Sequence, residues 1–193
     1  MASDNLTLDP RTTALVIIDL QQGIVGRTTA PYAADQVVAN AARLGRRCNE
    51  RGAPVFPVHV TYSSDGKDRA PQAVDEAAPV PPTLPVNWAD LVPEIASLDA
   101  ATLITKRHWG AFYGTELDLQ LRRRDITTII LCGIATNFGV ESTAREAWQH
   151  NYNLIIAEDA CTSVDADMHA FAIKRILPRL GKIRSTAEIL EAL

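Results

Sequence analysis

Asp19 ends the apolar stretch within TALVIIDL (13–20), and Lys106 closes the run ATLITK (101–106). A carboxylate behind five apolar residues is partly desolvated, which raises its pKa unless a cation compensates. Lys106 is the natural cation, and a paired Asp and Lys can move a proton and hold charge. The same residues also make an ordinary structural ion pair at a sheet edge, and spacing alone does not separate the two readings. A third segment, GIATNFG (133–139), leads from the run TTIILCG (127–133) into a helix. Such a turn points backbone N–H groups outward as a ready anion or oxyanion site, a character that every βα turn shares in some degree. The chain is aimed to present a reactive side chain at the first helical turn, and Gly139 stands there without one.

These three segments need elements to position them. TALVIIDL reads as a strand buried on both faces. Between Ala33 and Arg51, Val37, Ala41, Leu44 and Cys48 fall at helical spacing, and Gly52 supplies a stop. APVFPVHV (53–60) reads as a second strand, weakened by Pro57. ATLITK is a third strand. TELDLQLRRR (115–124) is a helix with leucines at 117, 119 and 121 and a basic end. TTIILCG is a fourth strand, and residues 137–150 form the next helix, with Glu141 and Arg145 at i,i+4. NLIIAEDA (153–160) is a fifth strand, with Asp159 as a capping or turn residue. Asp165–Leu180 is a helix expected to turn Met168, Phe171, Ala172 and Ile176 inward. A short KIR strand and the helix STAEILEAL, with Ser185 and Glu188 in capping-box register, close the chain.

Strands alternating with helices predict one three-layer α/β/α domain over residues 1–193 with a mostly parallel sheet. In such sheets ligands bind beyond the carboxyl ends of strands, where Asp19, Lys106 and the 133–139 turn all lie. Residues 62–88 break the pattern: SSDGKD is turn chemistry and APVPPTLP is proline-rich. A loop of that length inside a domain suits a pocket flap or a subunit contact.

Composition narrows the function classes. A net charge of −4 with interspersed signs leaves no basic stripe for nucleic acid. No apolar run reaches the roughly 20 residues of a membrane helix, and the polar start lacks a signal core, so the expectation is a cytoplasmic protein. Cys48, Cys132 and Cys161 are far apart and odd in number, which suits reduced thiols. Cys132, at the end of a strand, reads as a packed side chain, as does Cys161. Neither a CxxC pair nor an HExxH is present, and His59 and Asp65 have no second histidine near them, so neither metal nor cofactor is expected. Trp109 and Tyr113 follow Lys106 closely and could wall a pocket for a small planar substrate, whereas Phe112 reads as packing.

VIIDLQ (16–21), TKRHWGAFYGTEL (105–117) and CGIATNFGVESTARE (132–146) resemble, in order and spacing, the signature segments of the isochorismatase-like cysteine hydrolase family. The likeness runs through essentially the whole chain and is strongest to the YecD-type members. It implies a six-stranded parallel sheet, a small-molecule substrate and a homo-oligomer. It also implies a catalytic Asp at Asp19, a catalytic Lys at Lys106, the nucleophile position at Gly139 and a cis peptide at Ile134–Ala135. Most members carry Cys where this chain has Gly139, so a thioester route is closed at that position. True isochorismatases share the glycine and use the Asp as an acid on an enol carbon, with water attacking the resulting cation. They carry a tyrosine at Ala135 and a glutamine near Val60, so the chemistry carries over more readily than the substrate. Ala135 and Asn137 are the remaining substrate-contact candidates. Three readings follow: a hydrolase working by Asp19 acid–base catalysis, a silent small-molecule-binding member, and a hydrolase with another nucleophile such as Cys132 or Cys161.

Overall fold

The computed structural model describes residues 6–70, 73–76 and 84–193. Of the long loop, residues 71–72 and 77–83 lie outside that set. Six strands form one parallel sheet: β1 Thr13–Ile18, β2 Val55–Val60, β3 Ile104–Lys106, β4 Thr128–Ile134, β5 Asn153–Thr162 and β6 Lys182–Arg184. Their order is β3-β2-β1-β4-β5-β6. The chain leaves β1 toward one edge and returns through β4 toward the other. The β1/β4 boundary is therefore the switch point, where a crevice opens beyond the strand ends.

All six residues of β1 are buried, and so are the last six of β4. A strand can bury every side chain only when both faces of the sheet are covered, which makes three layers. The helices are α1 Gln22–Val25, α2 Ala34–Arg51, α3 Pro93–Ala96, α4 Leu117–Arg122, α5 Glu141–Gln149, α6 Ala166–Phe171 and α7 Thr186–Ala192. In α2 the stripe Val37, Ala41, Leu44 and Cys48 is buried, as its spacing predicts, and Gly52 ends the helix at φ 74°. Each fully buried Leu, Ile or Val contributes about 1.5–3 kcal/mol. Ser185 accepts from the Glu188 N–H and Glu188 accepts from the Ser185 N–H, so the capping box of α7 forms as read.

Pro57 sits in an interior strand. Val58 O accepts from Asp19 N, on the β1 side, and Val55 O accepts from Ala101 N, on the other. Alternation then turns the nitrogen of Pro57, which has no hydrogen, toward β3. The β2–β3 ladder accordingly starts only at Val58↔Ile104. This corrects the expected strand 101–106, which shrinks to three residues.

Two helices differ from expectation. Leu117 and Leu121 are buried in α4, but Leu119 is 48% exposed, because i+2 lies on the opposite side of a helix. After β5, α6 passes into a π-helical stretch, Ala172–Ile176, and a 3₁₀ turn, Leu177–Arg179. The inward stripe is His169, Ala172, Ile173 and Leu177, while Met168 and Phe171 are exposed.

Candidate active site

Asp19 follows β1 directly in the left-handed region, at φ 54°, a conformation that aspartate tolerates better than most residues. Lys106 ends β3. Its side chain crosses the end of β2, and Nζ lies 2.7 Å from Asp19 Oδ2 with both side chains buried. The ammonium also donates to His108 O at 3.1 Å and Trp109 O at 2.9 Å, so three acceptors match its three hydrogens. Asp19 Oδ1 is buried with no hydrogen-bond partner among the described residues. Burial pushes the Asp19 carboxyl up, and the Lys106 charge pulls it back only in part.

The third corner is Gly139. A Cβ placed there would lie 2.9 Å from Ile18 Cγ2, 3.3 Å from Asp19 Oδ2 and 3.6 Å from Lys106 Nζ. A side chain at position 139 would therefore touch both members of the ion pair. Residues Thr136–Val140 form a π-helical turn that runs into α5, after a cis peptide at Ile134–Ala135. The N–H groups of Phe138 and Val140 both donate to Ala135 O and are committed to the turn. The expected anion site is narrowed accordingly.

Thr143, four residues after Gly139, ties this corner to the next. Its hydroxyl donates to Gly139 O at 2.7 Å and accepts from Ala111 N at 3.2 Å. Glu146 accepts from Phe112 N at 3.0 Å. The segment whose carbonyls hold Lys106 is thus pinned to α5. Gln21 performs the same service on the other side: its amide bridges Val60 N, Val60 O and Trp88 O, and it is fully buried. Both residues passed unnoticed in the sequence, although Gln21 stands two residues after Asp19 and Thr143 one helical turn after Gly139.

The remaining candidates occupy the rim. Trp109 is 64% exposed and meets the ring of Phe138 edge-on at 4.9 Å. Tyr113 is exposed and packs edge-on against His108, while Phe112 is buried, as read. The Asn137 side chain is held by Ser163 Oγ at 2.5 Å and lies 3.5 Å from Met168 Sδ. Ala135 is half-buried against the core.

The loop after β2 reaches this edge. Arg107, next to Lys106, pairs with Asp68 at 2.5 Å. The Arg69 guanidinium covers the Tyr62 ring at 4.9 Å, and its Nε is buried with no hydrogen-bond partner among the described residues. Burial pushes the Tyr62 hydroxyl up; the Arg69 charge pulls it down, and the Asp19 carboxylate pushes it up again. Tyr62 therefore feels the charges of both Arg69 and Asp19.

Other chemistry is placed elsewhere. Cys48, Cys132 and Cys161 are buried and unbridged. Burial holds the thiols of Cys48 and Cys161 up at about 12, and pushes Cys132 up as well. His59 Nδ1 donates to Ala89 O, and Nε2 meets Thr105 Oγ1, both at 2.8 Å. Among the described residues no group of three or more His, Cys, Asp or Glu is placed to hold a metal ion. Asp159 caps rather than turns: it accepts from Thr186 N and Oγ1 at the start of α7.

A family model described as the isochorismatase domain matches residues 13–188. The chain is 50% identical over 188 residues to the uncharacterised isochorismatase family protein YecD of Escherichia coli O157:H7, covering 97% of this chain and 100% of that protein. It is 45% identical over 188 residues to YwoC of Bacillus subtilis (strain 168), covering 97% of each. The solved structure of an isochorismatase family protein from Burkholderia thailandensis superposes with a TM-score of 0.92 at 44% identity, covering 98% of this chain and 99% of that one.

Proposed function

The chain belongs to the isochorismatase family, and on that premise we propose that it is a hydrolase of a small anionic molecule in which Asp19 is the acid–base group and no covalent intermediate forms. The observation that carries this reading is the buried, unpartnered Asp19 Oδ1 beside a position 139 that has no side chain. An orphaned carboxylate oxygen is costly, and either a proton on it or a substrate group against it removes the cost.

Each residue then has a task. Burial keeps a proton on Asp19 to higher pH than in water. For an enol ether, that proton passes to the enol carbon and leaves an oxocarbenium ion. Water adds, the adduct collapses to a carbonyl compound and an alcohol, and the proton released returns to Asp19. Lys106, anchored by two carbonyls, stabilises the carboxylate while it is ionised. The bare position at Gly139 keeps a side chain from crowding Ile18 and the ion pair, since a Cβ there would lie only 2.9 Å from Ile18 Cγ2. Arg69, with an unpartnered buried Nε, offers a fork for a carboxylate of the substrate. No thiol borders the ion pair closely enough to appear among its partners, and the three thiols are buried.

The test is turnover of a panel of isochorismate, small vinyl ethers and primary amides by wild type and Asp19→Asn side by side. Vinyl-ether hydrolysis that disappears in the variant supports the reading. Saturable binding with no turnover of any panel member points instead to a silent binding protein.

A further inference from the structure

Behind the turn lies a second set of polar groups that the chemistry above does not use. Thr136 is fully buried, and its hydroxyl lies 2.8 Å from His169 Nδ1. His169 is 3% exposed, and its Nε2 lies 3.4 Å from Glu158 Oε1. The same oxygen accepts from Tyr32 OH at 2.7 Å, and the Tyr32 ring stands edge-on to His169. These residues come from four places: the segment before α2, the irregular part of β5, α6 and the catalytic turn. Glu158 is available because β5 bulges there, its register with β4 jumping from Leu131↔Ile156 to Gly133↔Cys161.

The connectivity, hydroxyl to imidazole to carboxylate, is that of an activated nucleophile. Thr136 cannot serve as one, because a fully buried hydroxyl meets no substrate. It can serve as an anchor. The turn Thr136–Val140 has no side-chain cap; Thr143 holds its Gly139 carbonyl, and Thr136 and Asn137 attach its start, the first to His169 and the second to Ser163. We propose that the buried chain Tyr32–Glu158–His169–Thr136 is a positioning device, which fixes the turn carrying Gly139 through the Thr136 hydroxyl. His169 is a positioning residue in it, and its role toward substrate rests on the active-site reading above.

The hydrogen atoms follow from the partners. A carboxylate only accepts, so Nε2 carries the proton and Nδ1 accepts from the Thr136 hydroxyl. Protonating Nδ1 reverses that bond: Nδ1 donates, and the Thr136 hydroxyl hydrogen needs a new acceptor in a sealed site. The charged and titratable groups around His169 are Glu158 on β5, Tyr32 before α2, and Asp165 and Asp167 on its own helix. Asp159 is engaged by Thr186 and Asp165 by the N–H groups of Asp167 and Met168. Burial lowers the His169 pKa, and Glu158 opposes that shift. The neutral imidazole, with its hydrogen bond to Thr136 as drawn, is therefore the form present at neutral pH.

Two substitutions cut the chain at different links. Asn at 169 keeps an acceptor near Nδ1 and loses Glu158. Gln keeps a donor near Nε2 and loses Thr136. The experiment is amide hydrogen exchange of residues 136–140 in the full-length wild type, His169→Asn and His169→Gln. Local exchange should accelerate about tenfold in His169→Gln, which loses the Thr136 bond itself, and clearly less in His169→Asn, which loses only the Glu158 brace. Equal acceleration in both variants, or none in either, overturns the proposal, since a merely structural histidine would not distinguish them. A second measurement needs no variant. In wild type, the amide shifts of residues 136–140 should titrate with the same midpoint as the His169 ring, below the ordinary 6.5. Turn amides that stay flat through that titration also overturn it. Neither readout depends on turnover, so failure here leaves the Asp19 reading to its own test.

Discussion

At Asp19 two effects oppose each other, and their balance decides the chemistry. Coulomb attraction to Lys106 favours the carboxylate, and burial favours the acid; burial wins. The native state therefore binds this proton more tightly than the unfolded chain does. Stability from this site is fully present at low pH and declines as pH rises from the ordinary 3.8 through the raised native value. Turnover by an acid mechanism falls through that same native value. Asp19→Asn, which mimics the neutral acid, should abolish turnover while leaving the urea midpoint at low pH, where Asp19 is itself protonated, close to wild type. Undiminished turnover in that variant contradicts the acid role. Arg69→Met should raise KM about tenfold or more for a carboxylate substrate while changing kcat little, as for a contact made equally in ground and transition states. A fall in kcat with unchanged KM would place Arg69 in the chemistry instead.

The elements show why some residues admit no alternative. Gly133 lies on β4 at φ 127°, and a Cβ there would fall 2.1 Å from Ile18 O and 2.7 Å from Ile18 N. Both strands are interior and cannot part. Gly133→Ala should therefore cost about 4 kcal/mol or more, read as a large fall in urea midpoint or loss of folded protein. A wild-type midpoint would mean that the β1–β4 approach is looser than drawn. Most of the fold was legible because buried parallel strands leave continuous apolar runs, and TALVIIDL and TTIILCG are two such runs. Asp19, Lys106 and Gly139 were legible for a related reason, since they stand where those runs and the third strand end. What escaped depended on non-local events. Pro57 shortens β3 by facing it without a hydrogen. The packing of α6 turns Met168 and Phe171 outward and His169 inward. Glu158 meets His169 only because β5 bulges. None of these leaves a local pattern to read.

For the whole molecule, strand order fixes where the proposed site sits. The switch between β1 and β4 gathers Asp19, Lys106 and Gly139 at the carboxyl edge of the sheet. The broad groove of about 820 Å³ lies at the other end, where β4, β5 and β6 begin, lined in part by Leu6, Trp148 and Tyr152. It touches none of the three corners of the proposed site. Among the described residues no helix is long and apolar enough to cross a membrane. The three thiols report on the integrity of the same core. With all of them buried and pushed up, iodoacetamide should modify none in the native protein, and modification should keep pace with global unfolding. Rapid alkylation of Cys132 or Cys161 in the folded protein, with loss of turnover, would revive a thiol mechanism.

The proposed chemistry requires a buried carboxyl that holds a proton beside an anchored lysine. The ¹³C shift of the Asp19 carboxyl, followed against pH in wild type and Lys106→Met, tests it without knowledge of the substrate. The midpoint should lie above 3.8 in wild type and higher still in the variant, where the Lys106 charge no longer opposes burial. A wild-type midpoint at or below 3.8 would make Asp19 a structural anion and contradict acid catalysis by this residue.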